Sequence, residues 1–220
     1  MASLIADTPK VTIRRITVSS LDNNIYLLTS KTSGQQILID AAADVDAIRR
    51  LISEAALDTG SRPKLALIVT THSHRDHLGA LATIAGTGTI LTACGAADAD
   101  SISEYTGVKA DRRLNHGDIV GVEGIWLTTI GLRGHTPGSI ALAYAEAGQS
   151  VRIFSGDSLF PGGLGNTDHD LERFNSLFAD VVERIFDSYT DDTIVLPGHG
   201  GHTTIGTERP RLAQWKARGW

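Results

Sequence analysis

The chain has 220 residues, 41% hydrophobic and 20% charged, which fits a soluble globular protein with one full-sized core or two small domains. A formal net charge of -5 argues against a non-specific nucleic-acid binder, and no apolar run approaches the roughly 18 residues that a membrane span needs. Cys94 is the only cysteine, which excludes an internal disulfide and a thiolate metal cluster, and the start Met1 to Asp7 lacks the pattern of a secretory signal. The expected location is therefore cytoplasmic. Cys94, after a strand-like run, reads as a small buried side chain and not as a nucleophile.

Val11 to Val18 alternates as a half-buried strand does. Asp22-Asn23-Asn24 marks a turn, read as turn chemistry and not catalysis. Ile25 to Thr29 is the next strand, and Ser33-Gly34 closes a hairpin into Gln36 to Asp40. Three early strands on short turns suggest antiparallel pairing. Asp44 can cap a helix over Val45 to Leu57, whose apolar positions 45, 48, 51, 52 and 55 share one face.

From there strand and helix alternate: strand 65–70, a histidine-rich turn, helix near 77–85, strand 89–93, helix near 97–105. Val108 to Ala110 reads as a short strand and Gly117-Asp118 as a turn. Segments 125–130, 140–144 and 151–154 are strands, Asp170 to Phe186 carries a strong helical stripe, and Thr193 to Pro197 is a last strand. The tail from Glu208, with Trp215 and Trp220, reads as an amphipathic end docked on the body. Sheets interleaved with helices imply helices on the outer faces of packed sheets.

The turn Thr71-His72-Ser73-His74-Arg75-Asp76-His77 packs three imidazoles and a carboxylate within six positions. Such groups converge only around something that they bind, and a transition metal is the chemical candidate. His135 in Gly134-His135-Thr136-Pro137-Gly138-Ser139, Asp157 in Gly156-Asp157 and His199 in Pro197-Gly198-His199-Gly200 follow other strands, and Asp40 ends one too. Nitrogen and oxygen donors without thiolate favour zinc, with iron or manganese allowed. His116 and His169 carry no such context and read as surface residues, and His202 could lie near the site or cap its turn.

These four motifs, in this order from about Asp22 to Glu208, resemble the metallo-beta-lactamase superfamily, and most closely its glyoxalase II-like branch. The resemblance implies an α/β fold, a four-layer αββα sandwich of two mixed β-sheets flanked by helices. It implies a first metal on His72, His74 and His135, a second on Asp76, His77 and His199, and Asp157 bridging both. Asp40 would sit behind them and orient the histidine loop. Two Zn2+ per chain are the expected cofactors. The antibiotic-hydrolysing branch has cysteine at the position of Asp157, so this chain departs from that branch.

Paired Lewis acids make hydroxide available near neutral pH and steady the charge that develops on an attacked carbonyl. Asp76 and Asp157 are thus the catalytic candidates, Asp76 as a ligand that can also tune the nucleophile. The resemblance suggests a small thioester as substrate, whose thiolate leaves without much protonation. A lactone would need a nearby acid such as Tyr26, Tyr105, Tyr144 or Tyr189.

Full-length enzymes of the glyoxalase II type carry a further helical domain for glutathione, and with only the stretch to Trp220 after His199 no such domain is expected here. Short relatives commonly show Gly-Arg-Thr-Asp where this chain has Gly165-Asn166-Thr167-Asp168. One domain over 1–220 with a tail from about 209 is expected. The alternatives are a lactone hydrolase, a persulfide dioxygenase with one iron on His72, His135 and Asp157, and, last, a non-catalytic metal-stabilised scaffold. The expected partner is a small molecule, neither nucleic acid nor membrane, with a homodimer as the remaining option.

Overall fold

The computed structural model describes residues 2–86 and 88–219, so Trp220 of the tail lies outside the described residues. Seven strands form the first sheet in chain order: β1 (Ser3–Asp7), β2 (Val11–Val18), β3 (Asn23–Ser30), β4 (Gln35–Ile39), β5 (Lys64–Thr70), β6 (Leu91–Gly95) and β7 (Arg112–Leu114). The first four pair antiparallel through tight turns, and the last four run parallel. Parallel neighbours require crossovers, and helices α1 (Val45–Glu54), α2 (Leu81–Ala85) and α3 (Ala99–Thr106) supply them.

The second sheet contains β8 (Ile119–Val122), β9 (Ile125–Gly131), β10 (Ile140–Tyr144) and β11 (Arg152–Gly156). A small hairpin of β12 (Leu159–Phe160) and β13 (Gly163–Leu164) follows, then helix α4 (Leu171–Val181). Strand β14 (Ile194–Pro197) joins β11 in parallel, and β15 (Thr203–Thr204) closes that edge. Short helices α5 (Ile205–Glu208) and α6 (Leu212–Arg218) end the described chain.

The alternation of side chains along each strand sorts the core into three layers. Ile37, Ile39, Leu67 and Val69 face the second sheet and meet Leu127, Leu142, Phe154 and Leu196. Leu38 and Ile68, one residue out of phase, face outward under Ile48, Leu51, Leu81 and Ile102 of the helices. Ala141, Ala143, Ile153 and Val195 face the other way, under Leu177, Val181, Ile185 and Trp215. The result is a four-layer αββα sandwich. Among the described residues, no helix is long and apolar enough to cross a membrane.

Asp44 caps α1 as expected, its Oδ1 accepting from Ala47 N at 2.9 Å. Cys94 is buried, and burial pushes its thiol up to about 11. Two local expectations change. The strand read at 108–110 falls at Arg112–Leu114, because Asp111 turns the chain by accepting from Thr92 N and Thr92 Oγ1. The helix read near 77–85 breaks into one tight turn, Arg75–His77, and α2, since the histidine side chains are turned to a common centre and not to one helix face. Strands β1 and β8, outside the expected strands, join as edge strands, and the apolar residues Leu4 and Ile119 on their exposed sides break the alternation that would mark them.

Trp215 is buried under α4 and meets the Phe186 ring at 6.2 Å, edge to face, so the tail is docked. Trp215→Ala is expected to cost about 3–5 kcal/mol of stability, read from the shift of the urea midpoint. A shift worth less than about 1 kcal/mol would contradict the docking of α6, because such values belong to surface positions.

Candidate metal centre

The chain leaves five strands at one end of the sandwich, and each exit delivers a polar side chain. Asp40 follows β4, His72 follows β5, His135 follows β9, Asp157 follows β11 and His199 follows β14. Rigid strands place these exits, and the loops beyond them are short. The two sheets are tied together here, since Asn24 N donates to Gly198 O at 2.7 Å and Asn23 bridges His199.

Three groups of donors share atoms within 4.8 Å: His72 with His74 and His135, His72 with His77 and Asp157, and Asp76 with His77 and His199. Asp157 lies between them, its Oδ1 at 3.4 Å from His77 Nε2 and its Oδ2 at 3.2 Å from His199 Nε2 and 3.8 Å from His135 Nε2. All seven residues marked out by the sequence motifs therefore meet in one volume. His116, His169 and His202 are exposed.

The outer nitrogens of the rings explain what faces inward. His77 Nδ1 pairs with Asp40 Oδ2 at 2.9 Å, His135 Nδ1 with Asn166 O at 2.7 Å, and His199 Nδ1 with Leu21 O at 2.7 Å. Each of these oxygens only accepts, so Nδ1 carries the proton and Nε2 of the neutral ring keeps its lone pair. His72 Nδ1 lies 3.0 Å from Thr71 Oγ1, whose own proton goes to Asp40 Oδ2 at 2.8 Å, which gives the same tautomer. The Nε2 atoms of His77 and His199 then stand 3.2 Å apart. Among the described residues, His72 Nε2, His135 Nε2 and Asp157 Oδ1 are buried without a hydrogen-bond partner. Buried acceptors facing one another require a cation, and a borderline divalent metal fits imidazole and carboxylate donors.

Titration in the metal-free protein reflects the same demand for positive charge. Burial lowers His72 well below the ordinary imidazole value, helped by neighbouring His77, and burial also lowers His135. Burial opposes charge on His77 as well, but Asp40 and Asp157 outweigh it and raise its pKa to about 10. The Asp157 hydrogen bond raises His199. Burial works against the Asp157 carboxylate, yet His199 and His77 hold it well below the usual carboxylate range.

Supporting residues lie just behind the donors. Asp40 accepts from Thr71 N and Thr71 Oγ1, both at 2.8 Å, and so fixes the residue before His72 while orienting His77. A Cβ on Gly198 would collide with Asp157 Oδ1 and lie 2.8 Å from His77 Cε1, so only glycine fits beside the shared carboxylate. Helix α4 straps the His135 loop from outside: Arg173 Nε donates to Gly134 O at 2.8 Å and its Nη2 to His135 O at 2.6 Å. Arg184 donates to Gly131 O at 2.7 Å, and buried Asp180 accepts from the Arg133 backbone and guanidinium.

The sequence reading of Asn23 as turn chemistry misses its position. Asn23 is fully buried, its Nδ2 donates to Asp76 Oδ2 at 2.9 Å, and it lies 3.5 Å from His77 Nε2 and 3.4 Å from His199 Nε2. The only local signal was a polar pair, Asn23-Asn24, leading straight into an apolar strand.

With this geometry in view, comparison with known proteins identifies the family. The model of the metallo-beta-lactamase superfamily matches residues 20–204, and the chain belongs to that superfamily. Mitochondrial persulfide dioxygenase ETHE1 of Mus musculus is 32% identical over 200 residues, covering 85% of this chain and 70% of the relative. Hydroxyacylglutathione hydrolase GloC of Haemophilus influenzae is 28% identical over 211 residues, covering 90% and 94%. The solved protein TTHA1623, in a di-iron-bound form, superposes with a TM-score of 0.64 at 30% identity, covering 89% of this chain and 96% of that one.

Because His77 holds a proton at pH 7 in the metal-free protein, binding of a cation to its ring must expel that proton. Zn2+ titrated calorimetrically in two buffers of different ionisation enthalpy is expected to show proton release, with affinity falling as the pH is lowered from 8 to 6. Binding without proton release would contradict a role for His77 as a donor.

Proposed function

We propose that this member of the metallo-beta-lactamase superfamily is a two-metal hydrolase acting on a small thioester. The observation that carries the reading is the split of the Asp157 carboxylate, one oxygen toward His77 and the other toward His199 and His135. His72, His74 and His135 would hold one ion, Asp76, His77 and His199 the other, and Asp157 both. Two such ions supply Lewis acidity and a hydroxide near neutral pH.

The chain's own residues do the rest. Asp40 keeps the His77 ring in one tautomer. Asn23 donates to Asp76 and, although burial works against the charge, holds that carboxylate ionised at the mouth of the site. An ionised Asp76 can accept a hydrogen bond from the attacking water and align it on a carbonyl carbon.

The leaving group favours sulfur. Tyr26 donates its hydroxyl to Pro197 O at 2.8 Å and Tyr144 to Glu146 Oε2 at 2.6 Å, while Tyr189 is half-buried and Tyr105 lies under the Arg75 guanidinium. A thiolate departs without an acid, whereas a lactone alkoxide would call for one. A cleft of about 360 Å3 lined by Leu164, Asn166, Thr167, His169 and Arg218 opens beside the loop that holds His135, the size of a small-molecule site. The similarity to a hydroxyacylglutathione hydrolase supports the same substrate class. A cytoplasmic setting fits the lone buried thiol Cys94.

A second reading, a persulfide dioxygenase with one iron, is favoured by the identity to ETHE1. His72, His135 and Asp157 would make the two-histidine, one-carboxylate set of non-haem iron sites. Metal analysis of the native protein combined with turnover separates the two. The thioesterase reading expects two ions per chain and hydrolysis of an acyl thioester without oxygen uptake. One iron with oxygen consumption on a persulfide would sink it. Asp157→Ala should weaken both ions by more than about 100-fold, beyond the usual cost of losing an outer partner. Retention of two ions by that variant would remove the shared carboxylate from the account.

A further inference from the structure

Asp98 stands at the start of α3, where an aspartate ordinarily accepts from the first backbone N–H groups of its own helix. It makes no such bond. Its side chain, 1% exposed, is turned instead toward the two loops that carry His72, His74 and His135. Oδ2 accepts from Ser73 N at 2.9 Å and from Thr136 Oγ1 at 2.6 Å, and Oδ1 accepts from Gly138 N at 2.7 Å.

The partners identify what is being held. Ser73 lies between His72 and His74, and Thr136 directly follows His135. Ser139 Oγ accepts from Thr136 N at 3.0 Å and lies 2.6 Å from Thr136 Oγ1, so the second loop is closed around the same carboxylate. A Cβ on Gly138 would collide with Asp98 N, so glycine at 138 is what lets the second loop close against the start of α3. A buried carboxylate is costly unless hydrogen bonds replace its water, and three donors do so here. Asp40 serves different partners, Thr71 and His77.

We propose that Asp98 is the positioning residue for the His72–His74–His135 half of the centre, stapling together the two loops that present those rings. This division rests on the two-ion reading above. Among the described residues Asp98 makes no hydrogen bond to a donor ring, so it acts through the loops.

The test uses the full chain and Zn2+ alone. Asp98→Asn, Asp98→Ala and Thr136→Val are compared with wild type by competition with a chelator, by zinc retained after dialysis, and by histidine-ring NMR. The expected result is a 10- to 100-fold loss of affinity for one ion in both Asp98 variants, about the cost of losing an outer partner. His74 and His135 should lose their metal-bound resonances, His199 should keep its own, and Thr136→Val should show a smaller loss of the same kind. Wild-type affinity in both Asp98 variants would overturn the proposal. So would equal loss of both ions that merely tracks a lower melting temperature of the metal-free variants. Should Asp98→Ala fail to fold, Asp98→Asn and Thr136→Val decide by the same criteria. A wild-type protein that holds a single ion on His72 and His135 would sink the two-ion reading but not this one, which then demands the same weakening for that ion.

Discussion

Hydrogen-bond acceptors turned toward one another in a buried volume are the constraint on which this structure depends. Once Asp40, Asn166 O and Leu21 O have taken the outer protons of His77, His135 and His199, only lone pairs remain to face the centre. Leaving them unpaired would cost several kcal/mol in total, at roughly 1–3 kcal/mol for each buried group. Positive charge must be present there, as protons or as metal. The raised pKa of about 10 at His77 and the depressed carboxylate of Asp157 are two expressions of that need.

The sandwich exists, in functional terms, to make the convergence rigid. Four donor loops leave β5, β9, β11 and β14 at one end, where Asn24 N to Gly198 O ties the first sheet to the second. Behind the loops stand carboxylates that lie outside the donor set: Asp40 and Asp98 from the first-sheet side, Asp180 from α4. Each is buried and each is satisfied by donors from loops that bear site residues. Buried charge is expensive, so its repeated use beside one site ties much of the cost of folding to the placement of these rings. Relatives with different chemistry on the same fold are then expected to differ in the outer clefts and in the ions that are held.

Much of this was legible in the sequence because the informative relations are short. His72, His74, Asp76 and His77 announce themselves within one turn, and His135, Asp157 and His199 each sit beside a glycine at the end of an apolar run. The strands that carry them are short apolar runs bounded by turn residues, so β4, β5, β9, β10, β11 and β14 are readable as buried strands. Asp98 was not legible, since its partners lie 25, 38 and 40 residues away and its local context says helix cap. Asn23 was hidden in the same way, 53 residues from Asp76 and 176 from His199, in a stretch that looks like a turn. The short edge strands β1 and β8 escaped because one solvent-facing side blurs their pattern.

In the proposed function the donors would form one centre for two ions that share Asp157. An anomalous-difference map from crystals of the metal-loaded protein, collected at the absorption edge of its native metal, tests it most directly. Two peaks about 3.5–4 Å apart are expected, one among His72, His74 and His135, the other among Asp76, His77 and His199, with Asp157 between them. A single peak held by His72, His135 and Asp157, with His199 and Asp76 free of metal, would contradict it.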